Sequence, residues 1–171
     1  KQLDFCTPGI IKAITDKATR KELPRMMKNI AENDIDVMTI KDSSYPEELK
    51  NIPDPPVVLY YRGKLVKEEI RIAVVGSRRA TFYGLDMAKR LSAELAQKGV
   101  TVVSGMARGI DSEAHKGALE AGGRTIAVFG CGVDITYPPE NVRLKEQIVK
   151  SGAVISEYLP GTPPVPINFP A

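Results

Sequence analysis

The sequence predicts an α/β protein with a doubly wound, mainly parallel sheet and a short N-terminal helical segment. Three observations indicate this fold class. Short, continuous apolar runs recur along the chain, as in strands that are covered on both faces. Amphipathic stretches with helical spacing lie between these runs. Runs and stretches alternate through short loops, which is typical of a parallel sheet built with right-handed crossovers.

The beginning of the chain has a different pattern. Residues 1–34 are polar and helical in spacing, and we expect Pro24 in the first turn of a helix. The apolar stripe of this helix consists of Leu23, Met26, Met27 and Ile30. Residues 35–40 alternate apolar and polar and suit a short strand, whereas residues 41–56 hold four prolines and predict a linker-like, extended stretch. We interpret residues 1–44 as the remnant of an N-terminal helical domain.

Residues 45–171 carry the alternating pattern of the predicted sheet domain. Apolar runs predict strands at 57–61, 70–75, 100–103, 125–129 and 153–155. Amphipathic stretches that stop at glycine predict helices at 81–98, 111–121 and 139–151. The tail from 160 onward holds five prolines and predicts no closing helix. We therefore expect this domain to be incomplete at its C-terminus.

Composition excludes several classes of protein. The chain is 43% hydrophobic and 26% charged, which argues against wholesale disorder. It has no unbroken apolar run of about 18 residues and no basic, apolar leader, so we expect a cytoplasmic protein without a membrane span. Two cysteines and one histidine argue against a disulfide framework and a zinc cluster. Residues 71–171 hold 12 basic and 9 acidic residues, a balance that permits an anionic partner.

Three predicted strands end in glycine at the edge where α/β sheets bind ligands. The loops that follow them are residues 76–79, 104–111 and 130–132. Glycine lets a ligand approach the backbone, and N–H groups at a helix start favour anions. Two of the loops also carry arginine, whose guanidinium matches phosphate geometry. The loops predict a phosphate-binding site, with the alternative that the glycines serve only the turns and the arginines are solvated.

Standard nucleotide-binding and catalytic motifs are missing from the sequence. There is no G-x-G-x-x-G after Gly76 and no G-x-x-x-x-G-K-[ST] anywhere, which disfavours NAD, FAD and Walker-type ATP binding. We predict no cofactor and no metal. Asp111 and His115 could touch on one helix, but we interpret Asp111 as a helix cap. Cys131 has no identifiable base, so we predict no catalytic residue.

Five short motifs stand out along residues 45–171. They are V-V-G-S-R at 74–78, S-G-M-A-R-G-I-D-S-E-A-H at 104–115, G-C-G at 130–132 followed by Tyr137-Pro138, I-S-E at 155–157 and N-F-P at 168–170. The motif at 104–115 is long and highly specific. In this order the motifs resemble those of the DNA-processing protein A family, also called DprA or Smf.

The resemblance implies a Rossmann-like fold and a function. Members of this family bind single-stranded DNA, help to load the RecA recombinase during natural transformation, and are not known as enzymes. The resemblance therefore implies single-stranded DNA and a RecA-type recombinase as partners, and a homodimer for the full-length protein. The residues that it implies for DNA binding are Gly76, Ser77, Arg78, Arg79, Ser104, Gly105, Met106, Ala107, Arg108, Gly109 and, against a base, Phe169.

The sequence departs from the family pattern at two points. Residues 163–167, just before N-F-P, lack the basic residue that members often carry, and the chain stops before the family's Arg-Asn-Arg.

Two other functions stay open. A Rossmann-like enzyme or binding protein for a nucleotide-derived phosphate ligand would place a carboxylate, Asp111 or Glu157, in the phosphate pocket. A protein-interaction module would bind neither single-stranded DNA nor a nucleotide-derived phosphate ligand.

Overall fold

A computed structural model describes residues 17–169 of the chain. Of these, residues 17–34 belong to one compact unit and residues 35–169 to a second. The first unit contains helix α1 (Lys17–Glu32), with Pro24 inside it. The expectation that Pro24 lies in the first turn is wrong, because seven helical residues precede it. The helix lacks one backbone donor there, since proline has no N–H.

The second unit is a sheet with helices between its strands. The strands are β1 (Asp36–Thr39), β2 (Val58–Gly63), β3 (Arg71–Ala73), β4 (Thr101–Ser104), β5 (Thr125–Val128) and β6 (Ala153–Ser156). The helices are α2 (Glu47–Lys50), α3 (Phe82–Gln97), α4 (Ile110–Glu120) and α5 (Val142–Ser151), with short 3₁₀ turns at Pro139–Asn141 and Pro166–Asn168. Across residues 17–169, no helix combines the length and the apolar character that a membrane crossing needs.

The sheet order is β1-β2-β6-β5-β4-β3. Strands β3, β4, β5 and β6 run parallel to one another, whereas β1 pairs antiparallel with β2, and β2 pairs antiparallel with β6. The predicted α/β class with a mainly parallel, Rossmann-like sheet is thereby confirmed. The carboxyl ends of the parallel strands meet at one edge, so the three glycine-ended loops lie together there.

Small residues let α3 and α4 approach each other closely. Ala96, Ala114 and Ala118 pack with Val102 in the core that these two helices share with the sheet. At Gly117, a Cβ atom would lie 2.0 Å from the carbonyl oxygen of Lys89, so this crossing requires glycine. The starts of the two helices also touch, since a Cβ at Gly84 would lie 3.6 Å from Cδ1 of Ile110. The loops before the two helices are therefore neighbours.

Residues 41–56 pack against the sheet. Tyr45 is fully buried in a cluster with Met38 and Leu59, and its hydroxyl donates a hydrogen bond of 2.7 Å to the Pro56 carbonyl. The expectation of an extended linker is therefore wrong. The prolines shape a compact loop, and one buried aromatic side chain anchors it to the core.

Candidate functional site

An open surface cavity of about 310 Å³ lies where α3 and α4 begin. Four cationic side chains line it against two carboxylates. The cations are Arg78, Arg79, Arg108 and Lys116, and the carboxylates are Glu113 and Glu140. The remaining lining residues are Ala80, Leu85, Gly109, Ser112 and Asn141. The excess of positive charge makes this cavity suitable for an anion.

The four cations differ in how far they are already paired. Arg108 forms two hydrogen bonds to Glu140, of 2.5 Å from Nε and 3.1 Å from Nη2, and these bonds lower the pKa of the Glu140 carboxyl. Lys116 lies 2.7 Å from Glu113. Arg78 and Arg79 are exposed, and neither has a carboxylate within 4.0 Å among the side chains described for residues 23–169. These two arginines are therefore the cations most available to an incoming phosphate.

Asp111 ties the first two glycine loops together. Its carboxylate accepts hydrogen bonds from the N–H of Gly76 at 3.3 Å and from the N–H of Gly105 at 3.1 Å. The N-cap of α4 is Gly109, so the interpretation of Asp111 as the helix cap is wrong. The N–H groups at the two strand ends bind the carboxylate, and that of Gly105 is thereby directed to the protein and away from a ligand.

Gly109 is the point at which the same two loops interlock. Its φ is +80°, and a Cβ atom there would lie 2.2 Å from the Ser77 carbonyl oxygen and 3.0 Å from the carbonyl of Arg78. The N–H of Ile110 also donates to the Ser77 carbonyl at 3.3 Å. A residue without a side chain thus lets the loops meet, and their meeting places Arg78 and Arg108 around one cavity.

Several predicted residues hold the loop in shape from inside. The Ser104 hydroxyl donates to the Val74 carbonyl at 2.6 Å, and the side chain of Met106 is fully buried. The Asn141 side-chain amide donates to the Met106 carbonyl at 3.0 Å. The cavity brings together four predicted residues, Arg78, Arg79, Arg108 and Gly109. Its lining does not include Gly76, Ser77, Ser104, Gly105, Met106, Ala107 or Phe169.

Phe169 docks against the third glycine loop. Its ring centroid lies 5.6 Å from that of Tyr137, with a tilt of 43° between the rings. A Cβ atom at Gly130 would lie 3.0 Å from the Phe169 ring and 2.5 Å from the Asn168 carbonyl oxygen. The tail therefore folds back onto the carboxyl edge of the sheet, where Phe169 is half-buried.

The three groups considered for catalysis, Asp111, His115 and Cys131, are buried and do not line the cavity. The Nδ1 atom of His115 lies 2.7 Å from the Thr125 hydroxyl oxygen, and that hydroxyl donates to the Val102 carbonyl. The hydroxyl proton is thus used, so Nδ1 of a neutral His115 must carry the hydrogen and donate it. Burial also raises the pKa of the Cys131 thiol to about 11. With Asp111 bound to the glycine loops, no Asp111–His115 dyad forms.

The buried histidine predicts an acid-sensitive fold. Burial lowers the pKa of His115 to about 3, against about 6.5 in an unfolded chain. The folded state resists protonation of His115, whereas the unfolded state accepts the proton. The contribution of the neutral histidine to the free energy of unfolding is therefore complete above pH 6.5 and is lost as the pH falls towards 3. At pH 5 we expect the free energy of unfolding to be about 2 kcal/mol lower than at pH 7.

Urea denaturation at a series of pH values measures this loss. His115 is the only histidine in the chain, so the non-titrating variant His115→Asn should flatten the dependence between pH 5 and 6.5. The same slope in wild type and variant would contradict the assignment.

The cavity also contains residues that the sequence analysis missed. Ser112 and Lys116 lie four residues apart on α4, and this spacing places both on one face of the helix. Glu140 and Asn141 lie in the short turn just before α5, at the edge that the glycine loops share. Helical spacing could have found the first pair, because it continues the arginine-bearing loop by one turn.

Comparison with known proteins gives a consistent family. Residues 36–171 match the family described as DNA recombination-mediator protein A. The chain is 45% identical to the Smf protein of Synechocystis over 139 residues, which cover 78% of this chain and 35% of that protein. It is 38% identical to the DNA processing protein DprA of Bacillus subtilis over 151 residues, covering 87% and 51%. The chain thus spans between about a third and a half of these curated relatives.

Two solved structures are similar in fold as well as in sequence. The crystal structure of DprA from Streptococcus pneumoniae has a TM-score of 0.75 at 34% identity, over 94% of this chain and 59% of that one. DprA from Helicobacter pylori, described in terms of its single-stranded DNA binding mode, has a TM-score of 0.69 at 32% identity, over 78% and 60%.

Proposed function

Because the chain belongs to the DNA recombination-mediator protein A family, we propose that it binds single-stranded DNA. The observation that carries this proposal is the cavity between the two interlocked glycine loops. Arg78 and Arg79 are exposed at its wall, with no ion pair to any carboxylate of the side chains described from residue 23 onward. Guanidinium groups bind phosphate in a geometry that does not depend on the base. The proposed mode is therefore contact with the sugar-phosphate backbone, without a sequence preference.

Phe169 supplies the second part of the proposed mode. Sequence-tolerant binding of a single strand combines a cationic surface with aromatic rings on which bases stack. Phe169 is held at the same edge by Tyr137 and Gly130, and the residue is half-buried. We assign it the role of a stacking surface for one base. The backbone would then lie over Arg78 and Arg79.

The activity of the whole protein is a wider proposal that rests on family membership. We propose that it acts in the cytoplasm as a recombination mediator, as a homodimer that helps to load a RecA-type recombinase on single-stranded DNA during natural transformation. The test is recombinase filament formation on DNA coated with a single-strand binding protein, with and without the full-length protein. No acceleration would count against the mediator role and would leave DNA binding as the function.

A second candidate is favoured by the size and the lining of the cavity. About 310 Å³ is at the lower end of small-ligand pockets, and Glu113 and Glu140 place carboxylates within it. The carboxylates expected for such a site, Asp111 and Glu157, do not line the cavity. Titration with an oligo-dT length series and with thymidine monophosphate separates the two functions. Affinity that rises with length supports DNA, whereas saturation by the mononucleotide alone, with turnover, supports an enzyme.

Arg78→Ala tests the proposed phosphate contact. We expect the dissociation constant for oligo-dT to rise about tenfold, because a charge-assisted hydrogen bond of about 1.5 kcal/mol or more is lost. The slope of log affinity against log salt should also fall by roughly 0.7 for one lost contact with a single strand. Fluorescence anisotropy with labelled oligo-dT at several salt concentrations measures both quantities.

Arg90→Ala is the matched control, since it removes the same charge from an exposed site on α3 outside the cavity lining. It should leave the salt slope unchanged. If both substitutions changed the affinity and the salt slope equally, Arg78 would contribute only to the overall positive charge, and it could not be assigned as a phosphate ligand.

A further inference from the structure

Phe82 is a large apolar side chain that the fold leaves in solvent. It is 86% exposed, although phenylalanine is a residue type that proteins usually bury. It is the first residue of α3, directly after the N-cap Thr81, whose hydroxyl accepts a hydrogen bond of 3.2 Å from the N–H of Gly84. The cap fixes the start of the helix, so the backbone that carries the ring is well defined.

Helical spacing places Phe82 on the flank of α3 that faces the cavity. Leu85 lines the cavity, and Lys89 contacts α4 through its ion pair with Glu120 at 2.8 Å. Phe82, Leu85 and Lys89 are related as i, i+3 and i+7, which share one side of a helix. The other exposed aromatic residue of this turn, Tyr83, belongs to a different side.

The order of the strands places the cationic residues between two aromatic ones. Phe82 follows the loop after β3, Arg108 lies in the loop after β4, and Phe169 packs on the loop after β5. These three strands are successive neighbours in the sheet. Arg78 and Arg79 lie four and three residues before Phe82, in the loop that leads into α3. The exposed ring and two cations of the cavity lining therefore belong to one short segment of the chain.

We propose that Phe82 is a second stacking surface, which takes a base of the single strand on the side of the cavity opposite Phe169. The strand would then cross the carboxyl edge of the sheet, with its phosphates over the arginines and a base on an aromatic ring at each end. Such alternation of charge and aromatic rings suits a flexible, unpaired strand. A duplex keeps its bases stacked internally, so this arrangement selects against it. The inference rests on the proposed function.

The chain contains no tryptophan, so a single Trp at this position reports on stacking without background. Phe82→Trp should bind oligo-dT at least as tightly as wild type, and its fluorescence should be quenched on binding. Tyr83→Trp is the matched control on the same turn, and its emission should change little. Phe82→Ala should weaken binding at least about fivefold, whereas its melting temperature should stay unchanged because the ring is exposed.

Phe82→Leu separates stacking from general apolar contact, because leucine keeps apolar area without an aromatic face. It should bind as weakly as Phe82→Ala. Wild-type affinity in both variants, or equal quenching at positions 82 and 83, would overturn the inference while the proposed function stands. If wild-type protein does not bind oligo-dT, the proposed function fails, and the role of Phe82 fails with it.

Discussion

Gly109→Ala is expected to abolish binding of oligo-dT and to lower the free energy of unfolding by about 3 kcal/mol. Two costs add at this position. The φ of 80° with a ψ of −129° is a backbone conformation that is nearly restricted to glycine, and it disfavours any residue with a Cβ by about 1 to 3 kcal/mol. The new methyl group would also lie 2.2 Å from the Ser77 carbonyl oxygen, so the two loops would have to separate. Separation of the loops would move Arg78 away from Arg108, and the cavity that both residues line would be lost.

Gly99→Ala is the control for a positive φ without a steric contact. Gly99 has a φ of +77°, but a Cβ atom there meets nothing within 4 Å. This substitution should cost about 1 to 2 kcal/mol and leave the affinity unchanged. Urea unfolding and anisotropy on both variants measure the two effects. Normal oligo-dT affinity in a folded Gly109→Ala variant would show that the meeting of the loops is not needed for binding.

Asp111→Ala is the second large change that we expect. The substitution leaves the N–H groups of Gly76 and Gly105 without their shared acceptor, and it removes two partly buried hydrogen bonds to a carboxylate. A hydrogen bond to a charged group contributes about 1.5 to 3 kcal/mol, and less where solvent reaches the donor. We expect the free energy of unfolding to fall by about 2 to 5 kcal/mol and binding to weaken at least tenfold, since both cavity loops lose their common anchor. Urea unfolding and oligo-dT titration measure these losses.

Asp111→Asn refines the test, because an amide keeps one acceptor oxygen and turns its NH₂ towards the other N–H group. It should recover at most half of the lost stability. Asp86→Ala is the control, since Asp86 is an exposed aspartate on α3 with only a 3.9 Å contact to Arg90. If Asp111→Ala were as stable as Asp86→Ala, the carboxylate could not be the anchor of the two loops.

The sequence predicts the sheet edge well because its signals are local. Gly76 and Gly105 each end a short apolar run, and the carboxyl ends of parallel strands must share an edge. The place of β6 between β2 and β5 is different. It depends on pairing between distant segments, one of them antiparallel, and an apolar run of four residues carries no mark of its neighbours.

The same distinction explains the errors in the candidate site. Asp111 lies at a helix start, where a cap is the usual local interpretation, but its partner Gly76 lies 35 residues earlier in the chain. Tyr45 lies among prolines that suggest a linker, and its burial depends on Met38 and Leu59 across the loop. In both cases a tertiary contact outweighs a local preference, and such contacts are not written in the spacing of nearby residues.

The position of β6 in the sheet has a consequence for how the molecule is made. During synthesis β1 and β2 leave the ribosome early, but a two-stranded pair is only marginally stable in water. The strand that joins this pair to the parallel sheet, β6, is the last of the described strands to emerge. Tyr60 of β2 cannot pair until its partner in β6, Ser156, has been synthesised. The nascent chain must therefore keep an unfinished sheet edge exposed while nearly a hundred residues are added, a period in which aggregation competes with folding. The joining of β2 to the parallel sheet is therefore a late step, and it requires closure of a long loop.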